Sequence, residues 1–286
     1  MERIHIVCGP TASGKTSHAL ELAKQLNGVI INCDSLQIYD GLPILTAQPT
    51  PEEKDQAPHA LYAALRPNDI CSAGNWREMV EPIITQTLEN GQTPIITGGS
   101  GLYIKALTHG LSPMPDTPED IRDLAVKTQQ DLGNPAFYED LKKRDPVMAA
   151  RFHPHHTARL IRAWEVIVAT GKSLAEWQEL PLLGPPDHWH FEIHKIIPER
   201  AVLYERCNTR FDWMIENGAL EEAEEFNKRI QAGDIAPNVP ITKALGFKHL
   251  CAYLNGDMTK EDALTESKTQ TRRYAKRQTT WFRHQL

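Results

Sequence analysis

A glycine-rich octapeptide near the start of the chain restricts the possible folds more than any other stretch. Gly9-Pro10-Thr11-Ala12-Ser13-Gly14-Lys15-Thr16 directly follows the apolar residues Ile4, Ile6 and Val7, and it fits the phosphate-binding pattern G-x-x-x-x-G-K-[ST]. A strand that delivers such a turn into a helix points several backbone N–H groups at one spot, and the helix dipole adds positive potential there. We expect a di- or triphosphate to bind to Gly9, Thr11, Ala12, Ser13, Gly14, Lys15 and Thr16, with the Thr16 hydroxyl helping to hold Mg²⁺. Kinases, ATPases and transferases share this loop, so it does not identify the reaction.

Composition describes an ordinary globular protein. The chain has 286 residues, 41% of them hydrophobic and 24% charged, and a net charge of -6. No apolar run approaches the roughly 18 residues that a membrane span needs, and the predicted first strand leaves no room for a targeting peptide. We therefore expect a cytoplasmic protein. Its five cysteines are scattered and include no C-x-x-C pair, which argues against a disulfide framework or a cysteine zinc site.

The alternation of strand and helix patterns indicates the fold class. Apolar strands at 4–8, 29–33 and 94–97 alternate with helical patterns at about 15–26 and 76–88, which is typical of a parallel sheet with helices on both faces. We expect an α/β fold, a P-loop NTPase-like parallel sheet flanked by helices. Residues 1–112 and 188–286 form its predicted core, with a strand at 190–197 and helices at about 199–229, 242–254 and 259–283. The segment 113–187, which contains several prolines between helical patterns, is predicted to be an all-helical insertion domain.

The second predicted strand ends in Asp34, at the sheet edge that carries the phosphate loop. In open α/β sheets that edge is where ligands bind, so Asp34 is expected near whatever is attached to the phosphates. An Asp-Ser pair is equally typical of a turn cap, and the residue types leave both readings open. The later strand Pro94–Thr97 runs into Gly98-Gly99-Ser100-Gly101 without an acid, which weakens the NTPase interpretation.

Five segments in order resemble the tRNA dimethylallyltransferases. They are GPTASGKT at 9–16, DSLQIYDGL at 34–42, TAQP at 46–49, GGSGLYIKAL at 98–107 and RQTTWFR at 277–283. The resemblance covers nearly the whole chain. It implies that the loop binds the pyrophosphate of dimethylallyl diphosphate rather than ATP, and that the dimethylallyl group goes to N6 of the adenosine 3′-adjacent to the anticodon.

The resemblance and the chemistry together suggest catalytic residues. Asp34 would orient the exocyclic N6 and accept its proton, while Thr16, Lys15 and Mg²⁺, with Asp34 as a possible further ligand, would stabilise the leaving diphosphate. By resemblance Arg210 completes that clamp, although a solvent-facing arginine on an amphipathic helix is a competing interpretation.

Contacts with tRNA are expected at the pocket, in the insertion and on the last helix. Because N6 lies in a stacked loop, the base must be extruded. From Lys268 onward the chain carries six basic residues with interleaved aromatics and no acid, which favours RNA contact. Partly by resemblance, the expected tRNA-contacting residues are Asp34, Ser35, Leu36, Gln37, Ser100, Arg122, Ala158, Arg159, Leu160, Ile161, Arg162, Lys243, Lys248, Arg272, Arg273, Lys276 and Arg277. A basic cluster of Arg144, Arg151, Arg159 and Arg162 belongs to the insertion, and a monomer is expected.

Some positions depart from the family pattern. Ser100 stands where the family commonly has threonine, which preserves the hydroxyl. The pair His155-His156 stands where Asn-Asp is usual, and the chain stops within three residues of WFR, where relatives commonly continue. A metal site at His153, His155 and His156 is disfavoured because no acid or cysteine accompanies them. Packing roles are expected for Trp76, Trp164, Trp177, Trp189 and Trp213.

Three other functions remain open at this point. A small-molecule kinase would use the same loop, but it would need an acid on a later strand and an arginine-rich lid. An RNA-binding module with an unused loop is disfavoured by the intact Lys15, Thr16 and Asp34. Prenylation of free AMP, ADP or ATP would use the same chemistry, and the long insertion and basic last helix argue against it.

Overall fold

A computed structural model describes residues 2–286 and divides the chain into two compact units. The first unit comprises Met1–Thr108 and Pro185–Leu286, and the second comprises His109–Gly184. The sequence pattern predicts this insertion at 113–187, within a few residues of these bounds. Within the second unit, Leu111 and Leu183 form an antiparallel bridge, so the two ends of this unit lie beside each other.

The first unit is built on a five-stranded parallel sheet with strand order β3-β2-β4-β1-β5. The strands are β1 (Glu2–Cys8), β2 (Gly28–Asn32), β3 (His59–Ala60), β4 (Thr93–Gly98) and β5 (Trp189–Lys195). The helices of its amino-terminal part are α1 (Lys15–Leu26), α2 (Pro51–Lys54), α3 (Ala73–Glu89) and α4 (Gly101–His109). The central strands are apolar and buried, as strands covered on both faces must be. The expected α/β class with a P-loop NTPase-like sheet is confirmed.

The second unit is helical. It contains α5 (Glu119–Arg144), α6 (Pro146–Arg151), α7 (Thr157–Thr170) and α8 (Leu174–Glu179), packed around their own apolar cluster. The longest of these, α5, is interrupted at Gly133, where φ is 69° and ψ is 164°. A residue with a side chain rarely adopts that φ, so the break depends on glycine.

The carboxyl-terminal part of the first unit is also helical, with α9 (Arg200–Glu216), α10 (Ala219–Gln231), a 3₁₀ turn (Pro240–Lys243), α11 (Phe247–Leu254) and α12 (Lys260–Gln285). The predicted helix 199–229 is two helices, because Gly218 adopts a φ of 100° between them. The predicted helix 242–254 is interrupted in the same way at Gly246, with φ of 95°. The two-residue strand β3 was not predicted, since it is too short to show a pattern.

Among the tryptophans, the packing prediction is wrong for Trp213, whose surface is 48% exposed on α9. Trp76 is fully buried and donates its ring N–H to the Asn32 carbonyl. Within residues 2–286, no helix is long and apolar enough to cross a membrane.

Candidate active site

The phosphate loop links β1 to α1 in a strained backbone conformation. Ala12 and Gly14 have φ values of 61° and 96°, and a side chain at Gly9 would collide with the Ile196 carbonyl oxygen. Lys15 folds back so that Nζ donates to the Pro10 carbonyl at 2.7 Å. The Ser13 hydroxyl is buried and has no hydrogen-bond partner within residues 2–286. A bound phosphate oxygen would satisfy that hydroxyl, which fits the predicted role of the loop.

Two arginines from α9 contact this loop. Arg210 donates to the Thr11 hydroxyl at 3.2 Å, and Arg206 donates to the Ser13 carbonyl at 3.2 Å. The pKa of Lys15 is lowered to about 8, mainly by burial and next by nearby Arg210, while Asp34 opposes the shift. Burial also lowers the pKa of Arg210. Two cations thus lie close together in a desolvated place, an arrangement that an anion would stabilise. The structure places Arg210 at the loop, as the resemblance implied.

Asp34 combines the two readings that the sequence left open. Its Oδ1 accepts backbone N–H bonds from Leu36 at 3.0 Å and from Gln37 at 3.5 Å, which makes it a turn cap. The Asn32 side chain fixes the Asp34 backbone from the other side, with bonds of 2.9 and 3.1 Å. No residue in the described part of the chain hydrogen-bonds Oδ2, which leaves that oxygen for a ligand.

The turn after β4 supports the Asp34 segment. The Ser100 hydroxyl accepts from the Ser35 backbone N–H at 2.9 Å, and a side chain at Gly98 would collide with the Cys33 carbonyl. From α12, Gln278 donates to the Gly99 carbonyl at 2.9 Å and accepts from the Thr11 N–H at 2.8 Å. Sequence reasoning assigned no role to Gln278, although it belongs to the quoted RQTTWFR segment.

These elements surround one cavity of about 410 Å³ in the first unit. Its polar wall contains the loop residues Thr11, Lys15 and Thr16, the segment 34–37, and Arg210. The apolar and aromatic part of the wall is formed by Leu45, Ala47, Tyr62, Phe211, Met214, Leu245 and Tyr274. Ten of the predicted site residues line it: Thr11, Lys15, Thr16, Asp34, Ser35, Leu36, Gln37, Arg210, Lys243 and Arg277.

Comparison with known proteins identifies the family of this chain. The family model described as IPP transferase matches residues 37–285. The chain belongs to the IPP transferase family. It is 46% identical over 281 residues to the tRNA dimethylallyltransferase of Paramagnetospirillum magneticum, covering 98% of this chain and 88% of that protein. The tRNA dimethylallyltransferase of Rhodospirillum centenum is 43% identical with the same coverage.

Solved structures of the family agree. The tRNA isopentenylpyrophosphate transferase of Bacillus halodurans is 36% identical, with a TM-score of 0.69 over 100% of this chain and 88% of that chain. A eukaryotic dimethylallyltransferase described as acting on tRNA has a TM-score of 0.83 and 25% identity, over 99% of this chain and 70% of that chain. The resemblance seen in the sequence is therefore confirmed.

The predicted basic residues of α12 fall into two groups. Arg273, Lys276 and Arg277 are exposed, and Arg277 lies over the Tyr274 ring at 5.6 Å. Arg272 instead donates to the Asn208 side chain at 2.6 Å, and Lys268 pairs with Asp212 at 2.5 Å. The basic run contains no acid of its own, but Asp212 on α9 supplies a counter-charge to Lys268 across the helix interface. Lys248, on α11, is exposed.

Several predicted residues of the helical unit are engaged within it. Arg162 binds Glu165 at 2.6 Å and Thr117 at 2.9 Å, and Arg122 lies 4.0 Å from Glu165. The Leu160 side chain is fully buried in the unit's core, so a side-chain contact with tRNA at Leu160 is excluded. Ile161 is half-buried, and the exposed positions are Arg144, Arg151, Ala158 and Arg159. Arg144 pairs with Asp140 and lies over Trp164.

The donor set near the loop suits a magnesium ion. The Thr16 hydroxyl makes no hydrogen bond within residues 2–286, and Asp34 has the unengaged Oδ2 described above. A hydroxyl, a carboxylate and phosphate oxygens are the hard ligands that Mg²⁺ prefers. In the histidine cluster of the helical unit, the His153 ring centroid lies 5.2 Å from that of His155 and 5.8 Å from that of His156.

Proposed function

We propose that this protein transfers a dimethylallyl group from dimethylallyl diphosphate to N6 of the adenosine 3′-adjacent to the anticodon in tRNAs, releasing diphosphate. One observation carries the proposal: a single cavity joins the phosphate loop, the Asp34 carboxylate and an apolar wall. The names of the curated relatives support the choice of prenyl donor and acceptor.

In the proposed reaction, one group of residues acts on the leaving diphosphate and Asp34 acts on the adenosine. N6 attacks the allylic C1 carbon, a C–N bond forms, and the C1–O bond to the diphosphate breaks. Negative charge grows on the leaving diphosphate, so preorganised donors there stabilise the transition state most. Lys15, the loop N–H groups and Arg210 supply that charge. Asp34, within the same cavity, orients N6 and accepts its proton.

Mg²⁺ is the proposed metal, held by Thr16 with Asp34 as a possible further ligand. When bound, it would add positive charge against the diphosphate oxygens. The apolar wall from Leu45, Met214 and Leu245 suits a branched five-carbon chain. The same wall excludes the water that would otherwise hydrolyse an allylic cation.

The tRNA is proposed to bind through the exposed stripe of α12, which consists of Arg273, Lys276 and Arg277, and through the exposed positions of the helical unit. A flipped adenine needs stacking surface and phosphate contacts, and Tyr274 with Arg277 offers both at the cavity. We propose that the protein acts as a monomer, which light scattering at working concentration tests.

A kinase would need an acid after β4, but this chain has Gly98-Gly99-Ser100-Gly101 there. To test the proposal, the purified protein is incubated with Mg²⁺, radiolabelled dimethylallyl diphosphate and unmodified tRNA, with AMP and ATP as parallel acceptors, and nucleosides are then analysed. Label on N6 of tRNA adenosine is the expected result. Label only on free nucleotide, or phosphoryl transfer from ATP without prenylation, contradicts the proposal.

A further inference from the structure

Three polar side chains outside the active cavity gather on one face of the sheet, where β1 and β5 lie side by side. The register pairs His5 with Glu192 and Val7 with His194. Because side chains alternate along strands, His5, Glu192 and His194 project from the same face. None of the three lines the cavity that contains Lys15 and Asp34.

The ligand atoms of these residues are within metal-binding distance of one another. His5 Nδ1 lies 3.0 Å from His194 Nε2 and 3.9 Å from a Glu192 oxygen, and His194 Nε2 lies 3.6 Å from the other oxygen. A tetrahedral zinc ion with bonds of about 2.0–2.1 Å holds its ligand atoms about 3.4 Å apart. One ligand atom from each of the three residues lies within 4.8 Å of the other two, so only small side-chain movements are needed to close the group around such an ion.

The chemistry of the group also suits a cation. Two ring nitrogens face each other at hydrogen-bond distance, so a proton must lie between them unless another cation replaces it. The His18 ring on α1 packs 5.3 Å from the His194 ring, and its Nε2 is buried without a hydrogen-bond partner in the described part of the chain.

We propose that His5, Glu192 and His194 bind one zinc ion, with the fourth position open to water. Two imidazoles and a carboxylate are a donor set typical of zinc, whereas Mg²⁺ prefers oxygen ligands alone. The ion would fasten the edge strand β5 to β1 across 189 residues of sequence. A metal that closes so long a loop stabilises the folded chain by restricting the unfolded one.

The test uses the full chain without a polyhistidine tag, stripped of metal with a chelator that is then removed. Its background carries His153→Ala, His155→Ala and His156→Ala, which removes the other histidine cluster. Zn²⁺ is titrated by calorimetry, and Co²⁺ is titrated by visible absorption as a geometric probe. We expect one equivalent of Zn²⁺ to bind and a hundredfold excess of Mg²⁺ not to displace it, which separates this site from the diphosphate-linked metal.

Single substitutions then locate the ion. His194→Ala and Glu192→Gln are expected to weaken Zn²⁺ binding at least about tenfold, while His190→Ala, an exposed residue on the same strand, leaves it unchanged. Zinc at a hundred times its dissociation constant should raise Tm by roughly 5 °C in the background protein and not in His194→Ala. Equal affinity in His194→Ala, Glu192→Gln and the background protein, or no stoichiometric binding, overturns the proposal. Circular dichroism of the metal-free variants verifies that they fold.

Discussion

The two carboxylate oxygens of Asp34 have different roles, one in capping a turn and the other in the proposed proton transfer. Oδ1 accepts the backbone N–H groups of Leu36 and Gln37, while Oδ2 has no hydrogen-bond partner within residues 2–286. A substitution that keeps the turn cap but removes the proton acceptor therefore tests the proposed base directly.

Asp34→Asn retains an oxygen that can cap the turn but cannot accept a proton at neutral pH. We expect kcat for prenyl transfer to fall by roughly 10²–10⁴-fold, with the dissociation constant for tRNA changed less than about twofold. Single-turnover assays and filter binding measure the two quantities. Asp40→Asn, on an exposed neighbour in the same segment, is the matched control. A large loss of tRNA binding with unchanged chemistry would refute the proposed role.

Lys15 leads to a prediction about pH. Burial lowers its pKa to about 8 from an ordinary value near 10.5, so in the absence of ligand the ammonium loses its proton as pH rises through 8. Bound diphosphate favours the charged form, and affinity for dimethylallyl diphosphate should therefore fall by up to about tenfold per pH unit above pH 8. Calorimetry without tRNA measures this. Lys15→Met should bind weakly and lack the pH-dependent step, and the same step in Lys15→Met would contradict the assignment.

At the scale of elements, α12 contacts both the phosphate loop and the turn after β4 through one side chain. Gln278 is 7% exposed and bridges Thr11 and Gly99 with bonds of 2.8 and 2.9 Å. Its amide satisfies a loop donor and a turn acceptor that would otherwise be buried unpaired. The helix therefore positions both walls of the active cavity.

Gln278→Ala should leave those two backbone groups without partners. We expect the free energy of unfolding to fall by about 1–3 kcal/mol and KM for dimethylallyl diphosphate to rise, because the Thr11 end of the loop is released. Denaturant unfolding and steady-state kinetics measure both. Gln285→Ala on the exposed end of the same helix is the control, and equal effects of the two substitutions would argue against the bridge.

The exposed stripe of α12 belongs to a separate prediction. Replacing Arg273, Lys276 and Arg277 together with alanine should weaken tRNA binding on the order of tenfold and reduce the slope of log affinity against log salt by roughly 2. Arg272 is left intact because its bond to Asn208 joins α12 to α9.

The control for that experiment removes equal charge elsewhere, at Lys24, Arg66 and Lys228. Their partners are Gln56, Asp69 and Glu224, none of which belongs to α12. Binding measured at several salt concentrations should show a slope near that of the unaltered protein. An unchanged slope in the α12 variant would remove that helix from the RNA interface.

At the scale of the whole molecule, the chain builds two units with separate hydrophobic cores. The cluster that contains Phe137, Leu160 and Trp164 belongs only to the helical unit. The cavity residues and the main core cluster belong to the other unit. The active cavity therefore does not depend on the core of the helical unit.

Replacement of residues 112–182 by a short Gly-Ser linker tests this separation. The Leu111–Leu183 bridge places the two joining points next to each other, so a short linker can span them. We expect the remaining unit to fold and to bind dimethylallyl diphosphate within about threefold of the full chain, while tRNA affinity falls at least about tenfold. Full tRNA affinity in this variant would refute the proposed contact by the helical unit.

Short-range features were predictable because neighbours along the chain determine them. The octapeptide, the strand before it and the helix after it are contiguous, and Gly14, with a φ of 96°, allows the turn into α1 locally. The same holds for the apolar strands and the Asp34 turn, whose hydrogen bonds span two and three residues.

Long-range partners required the folded chain. Arg210 meets Thr11 across 199 residues of sequence, and Gln278 meets it across 267. Whether Arg272 faces RNA or Asn208, and whether Lys268 lacks a counter-charge, depends on how α9 packs against α12. Local patterns determine backbone conformation and which face of an element is apolar. The partner of each polar side chain is decided by packing between distant segments, which no short pattern encodes.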